Sequence, residues 1–145
     1  MTVSRFSWLF VVFVLFLPPH QSATHKASAI CGRWSGTSIC VDKSTDTACK
    51  DEVVVYDFDT VKAAAGTIMQ SAYRYVGKTL EPMGNLTLLY NDSSKSWSAD
   101  FTGRSRIRWT YYIEKGQLRG TCVELPSHRL IRRAEAVRDS KNPPK

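Results

Sequence analysis

The chain has 145 residues, a formal net charge of +7, and a composition that is 43% hydrophobic and 11% aromatic. That length corresponds to one domain, large enough to bury a modest core but not a large one. Four cysteines with no C-x-x-C pair and no nearby histidine exclude a zinc-type ligand spacing, so no metal and no cofactor is expected.

Residues 1–29 read as a cleaved export signal: a lone Arg5, an apolar run from Phe6 to Leu17, a Pro18-Pro19 stop, and the small-x-small site Ala27-Ser28-Ala29. The run has 12 residues, short of the ~20 a membrane-crossing helix needs, so no transmembrane segment is expected in the mature chain. Loss of Arg5 and Lys26 with the signal lowers the charge from +7 to +5. An exported chain with four cysteines is expected to carry two disulfides. The favoured pairs are Cys40–Cys49, closing a polar loop, and Cys31–Cys122, tying the first strand to a late one.

The mature chain opens with Cys31-Gly32-Arg33-Trp34 and a first strand to Cys40, then a loop by composition over Val41–Thr47. Asp51–Asp59 alternates as a strand, with Val54, Tyr56 and Phe58 on one face and Val53, Val55 and Asp57 on the other. Thr60–Ala65 fits a short helix capped by Asp59 or Thr60 and ended by Gly66, a turn, or a longer helix reaching residue 73. A third strand is expected over Thr67–Val76 and a turn or loop over Gly77–Pro82.

From there the alternation is clean. Leu86, Leu88 and Tyr90 share a face, as do Trp97, Ala99 and Phe101, with the turn Asn91–Ser94 between them. After a break at Gly103, Ile107, Trp109, Tyr111 and Ile113 alternate with Arg106, Arg108, Thr110 and Tyr112. Lys115-Gly116 turns the chain into Gln117–Leu125, and Pro126-Ser127 turns it into His128–Ala134. Residues 135–145 read as a disordered tail. About eight short strands joined mostly by short turns are antiparallel neighbours. With one apolar face each, they are best accommodated as an all-β, disulfide-stapled antiparallel meander barrel over residues 30–134.

The chemistry is that of a binding protein. Tyr56, Tyr90, Trp97, Phe101, Trp109 and Tyr111 face one side and would line the interior, either filling it or orienting a small apolar or amphipathic ligand. Arg104, Arg106, Arg108, Arg119 and Arg129 face outward, and with Arg132 or Arg133 would form a positive stripe. Such a stripe suits an acidic partner: a polyanion, an anionic lipid or a protein. Nucleic acid is disfavoured, because the rings face inward rather than form a stacking platform. There is no nucleophile elbow and no Gly-rich phosphate loop, and His128 is the only histidine inside the expected fold. A non-enzymatic protein, secreted or periplasmic, is the expectation, with no catalytic residue assigned. Asn85-Leu86-Thr87 and Asn91-Asp92-Ser93 satisfy the N-glycosylation rule.

Gly32-x-Trp34 on the first strand of an eight-stranded meander, followed by a basic residue after the last strand, resembles the lipocalin pattern and its calycin relatives. The resemblance implies that Trp34 closes the barrel base and that Arg132 or Arg133 packs across it. Avidin-like barrels also begin with Gly-x-Trp, but their polar ligand-binding constellation has no match here.

Overall fold

The structure is a computed structural model and describes residues 29–43, 49–61 and 66–140. The expected export signal (Ala29 apart), loop residues 44–48, residues 62–65 of the ambiguous stretch and residues 141–145 of the tail lie outside the described residues.

Alternation is what builds the wall. Eight strands follow one another: β1 Gly32–Cys40, β2 Glu52–Thr60, β3 Thr67–Val76, β4 Thr79–Asn91, β5 Ser96–Thr102, β6 Arg106–Glu114, β7 Gln117–Glu124 and β8 Arg129–Arg138. Each pairs antiparallel with its sequence neighbour, and β8 pairs with β1, so the meander closes into a barrel with no free edge strand. In β2 the inward face is Val54, Tyr56 and Phe58, all buried, while on the other face Val53 is exposed and Val55 is buried as well. Among the described residues no helix is long and apolar enough to cross a membrane.

Three boundaries differ from the sequence reading. The longer helix to residue 73 is ruled out, because Thr67–Val76 is strand, with Ile68 and Gln70 buried on its inner face. The expected loop over Gly77–Pro82 shrinks to Gly77-Lys78. Gly77 adopts a left-handed conformation (φ 62°) that permits so tight a turn, and β4 begins at Thr79. Pro82 is tolerated in β4 because it sits at a β-bulge, where Tyr73 pairs with Pro82, Ala72 pairs with Gly84, and Met83 is the extra residue. Finally, β8 runs through Arg138, past the expected end at Ala134, because Ala136 continues its inward face and is buried.

The barrel has two unlike halves. At the end where β1 begins and β8 ends, Ile30, Trp34, Phe58, Ile68, Leu88, Trp97 and Leu118 fill the interior. Trp34, 1% exposed, donates from its indole N–H to the Ile30 carbonyl (2.8 Å). The tryptophan plug is therefore present, but the arginine over it is Arg138, 4.3 Å from the ring centroid. Arg132 and Arg133 are not the partners, for a reason of register. Trp34 pairs with Arg138 across β1 and β8, whereas Arg132 pairs with Cys40. Six residues along a strand is about 20 Å.

The same register separates the second expected disulfide. Cys40 and Cys49 are bonded, and Cys31 and Cys122 are free thiols. Cys122 is level with Arg132 and Cys40 across β7, β8 and β1, while Cys31 lies nine residues before Cys40 along the chain. The two thiols are thus at opposite ends of the barrel, about 30 Å apart along the strand direction, far beyond disulfide reach.

Candidate ligand-binding site

Above the packed half the interior is hollow. A cavity of about 480 Å³ opens at the end where β1 finishes and β2 starts. Its wall takes Tyr56 from β2, Ala72 from β3, Met83 and Leu86 from β4, Phe101 from β5, and Ile107, Trp109 and Tyr111 from β6. A second bulge, in β8 opposite Cys122/Val123, leaves Ile131 as the extra residue, so Ile131 and Arg132 both line the cavity although they are adjacent in sequence.

The barrel wall is thinnest beside this cavity. Only Leu89–Ser98, Tyr90–Trp97 and Asn91–Ser96 pair β4 with β5, and all three lie towards the closed end. Beyond them, Met83, Gly84, Asn85 and Leu86 on β4 and Phe101 on β5 border the cavity. Phe101, 50% exposed, stands at this rim.

Polar side chains bonded to one another run from the mouth, at Arg132, Ser38 and Glu52, down to Tyr56, Tyr111 and Gln70 at the floor. Arg132 Nε donates to Ser38 Oγ (2.9 Å), and Arg132 Nη2 donates to Glu52 Oε2 (2.9 Å), to the Lys50 carbonyl (2.8 Å) and to the Ser38 carbonyl (3.1 Å). Glu52 also accepts from Arg74 (3.2 Å). The Tyr56 hydroxyl bonds to Ser38 and to Tyr111, and Gln70 Nε2 donates to the Tyr111 hydroxyl (2.8 Å). Burial pushes the Tyr56 hydroxyl up to about 12 and raises that of Tyr111 well above the usual tyrosine value, so both are neutral donors and acceptors at physiological pH. Gly120, paired with Tyr111, makes room for this ring: a Cβ at that position would lie 2.8 Å from it.

The six aromatic positions read from the sequence divide between the two halves. Tyr56, Phe101, Trp109 and Tyr111 line the cavity, with Trp109 stacked on Tyr111 at 5.4 Å and an interplanar angle of 4°. Tyr90 and Trp97 do not line it. They pack against each other at 4.8 Å, and Trp97 is buried in the closed end. Reading only the aromatics missed Ser38, Glu52 and Gln70. Parity along their strands held the signal: each is a polar residue on the face that carries Trp34, Val54 or Ile68, and a polar residue on an inward face marks a site or a network.

The outward arginines are interleaved with carboxylates. Arg106 and Arg108 share Asp100 (3.0 and 2.6 Å), and hydrogen bonding from Arg108 first of all holds that carboxyl below the usual carboxylate value. Arg119 pairs with Glu135 and reaches Glu114 at 3.7 Å, and Arg129 pairs with Asp42 and with Glu124 (2.9 Å). Arg132 points inward to Glu52. The expected continuous positive stripe is therefore a mixed-charge surface, with Arg104 and Arg133 exposed on it. Among the described residues no group of three or more His, Cys, Asp or Glu could hold a metal ion.

Fold and site together define a small eight-stranded meander barrel, plugged at one end and hollow at the other, an arrangement consistent with a calycin-like barrel. The chain matches no protein-family model, and no curated protein is significantly similar to it.

Proposed function

We propose that the protein is an exported, lipocalin-like binding protein that holds one small apolar or amphipathic molecule in the open half of its barrel and performs no chemistry on it. The cavity carries this reading. At about 480 Å³ it falls within the roughly 300–1,000 Å³ range of ligand pockets, and its lining joins aromatic and aliphatic side chains to polar ones, among them Ser38, Glu52, Gln70 and Arg132. A barrel that worked only by its outer surface would gain stability by filling this space. The two charged cavity residues, Glu52 and Arg132, are bonded to each other at the mouth, so neither offers a free charge to a ligand.

The test is binding of a neutral fluorescent probe, N-phenyl-1-naphthylamine, to purified protein, alongside native mass spectrometry of protein isolated from its own source. One probe per barrel, with emission moved to the blue, is the expected result. Ala72→Trp places an indole in the cavity and should abolish binding while the folded circular-dichroism spectrum persists. Probe binding that survives Ala72→Trp, or no binding to the wild type, overturns the reading.

A further inference from the structure

The floor of the cavity has hydrogen-bonding capacity that the protein itself does not use. Gln70 is 1% exposed and lines the cavity. Its amide nitrogen donates to Tyr111, while its carbonyl oxygen is buried with no hydrogen-bond partner among the described residues. Native proteins rarely leave such an acceptor unmet, because desolvating it without a partner is costly.

The neighbouring hydroxyls are already engaged: Arg132 Nε donates to Ser38 and Gln70 Nε2 donates to Tyr111, with Tyr56 between them. The unmet acceptor therefore sits beside a linked hydroxyl chain, beneath an apolar wall.

Resting on the binding-protein reading above, we propose that the ligand is an apolar molecule ending in a neutral group that donates a hydrogen bond, a hydroxyl or an N–H-bearing amide. The head group reaches the floor and donates to Gln70 Oε1, while the tail lies along Leu86, Ile107 and Trp109. An anionic head is disfavoured, because it would meet the unpartnered Gln70 carbonyl. A charge of either sign finds no free counter-charge, since Glu52 and Arg132 already pair with each other. Charge on the ligand is selected against by groups already committed to one another.

Displacement of N-phenyl-1-naphthylamine by 1-decanol, decanamide and decanoate at pH 8 tests this. On the wild type, decanol and decanamide should displace the probe at least about tenfold more effectively than decanoate, the discrimination an unmet buried polar group provides. Gln70→Leu should lower the affinity for decanol relative to that for decane about tenfold, since decane has no head group to lose. Decanoate matching or exceeding decanol on the wild type overturns the head-group assignment and leaves the binding-protein reading standing. So does a decanol affinity, relative to decane, that Gln70→Leu leaves unchanged. Failure of the probe and of all three alkyl compounds to bind sinks both. The wild-type series stands on its own should Gln70→Leu fold poorly.

Discussion

Arg138 lies over the indole of Trp34, 4.3 Å from the ring centroid, and at the same time donates to the backbone carbonyls of Ala29 (2.6 Å) and Cys31. One guanidinium thus joins the last strand, the first strand and the segment preceding it. Trp34→Ala should cost about 3–5 kcal/mol, the usual penalty for emptying a large aromatic site. Arg138→Ala should cost about 1–2 kcal/mol through lost stacking and lost donors. Arg138→Lys should not restore it, since an ammonium cannot stack flat and reach two carbonyls together. Arg133→Ala, at an exposed position, should leave the unfolding midpoint in place. Chemical unfolding of Trp34→Phe, Arg138→Ala and the double variant should be non-additive, and additivity would dissolve the pairing.

Mass mapping under non-reducing conditions should recover a Cys40–Cys49 peptide and two unlinked thiols, Cys31 and Cys122. Burial pushes the Cys122 thiol up to about 12, so native alkylation at pH 8 should leave it unmodified. Reduction of the disulfide should cost about 2–3 kcal/mol for so short a loop. A Cys31–Cys122 peptide would contradict the register of β1 against β8.

Two carboxylates that each engage two arginines should respond very differently to neutralisation. Glu52 and Arg132 are each 16% exposed, and Glu52→Gln strands a largely buried guanidinium at the cavity mouth. Its expected cost is about 3 kcal/mol, in line with the breaking of one side of a buried pair. Asp100 bridges Arg106 and Arg108 on the surface, where water and salt screen the attraction, so Asp100→Asn should leave the denaturation midpoint unchanged. Comparable losses at the two sites would place Glu52 in solvent.

Alkaline stability should follow the buried tyrosines. The Tyr56 hydroxyl is pushed up to about 12 by burial, and Tyr111 is raised by the same cause. The unfolded chain releases these protons near pH 10, so the stability they contribute is fully present below about 10 and is lost as pH rises through about 12. For Tyr56 alone that is about 2–3 kcal/mol. Absorbance at 295 nm should show late ionisation for these two among the six tyrosines of the chain, moving together with the unfolding signal. Tyr56→Phe should shift the alkaline midpoint upward, and early ionisation of all six would contradict the buried floor.

The wall of the barrel was legible because period-2 alternation is a local property, written out in runs such as Val54-Tyr56-Phe58 and Trp109-Tyr111-Ile113. Register is not local. Whether Arg132 or Arg138 meets Trp34, and whether Cys31 can meet Cys122, depends on how β8 slides against β1, and two adjacent arginines at 132–133 gave no cue to prefer position 138. The bulges at Met83 and Ile131 were equally hidden, since each is an extra residue that only pairing reveals. At the cavity, aromatic content misled in one respect. Tyr90 and Trp97 share a face with Trp109, yet they belong to the packed half.

Because every strand gives one end to the plug and the other to the cavity, the molecule separates what it needs to stay folded from what it selects. Ile107 and Ile131 border empty space and lie outside the buried cluster of Trp34, Phe58 and Leu118, so enlarging or shrinking them reshapes the cavity first. The short β4–β5 seam adds a mechanical counterpart. With three registered pairs, all on the plugged side, those strands are free to part at the rim while the base stays shut. A barrel built this way can change the shape of its mouth by a few substitutions while its plugged base keeps it folded.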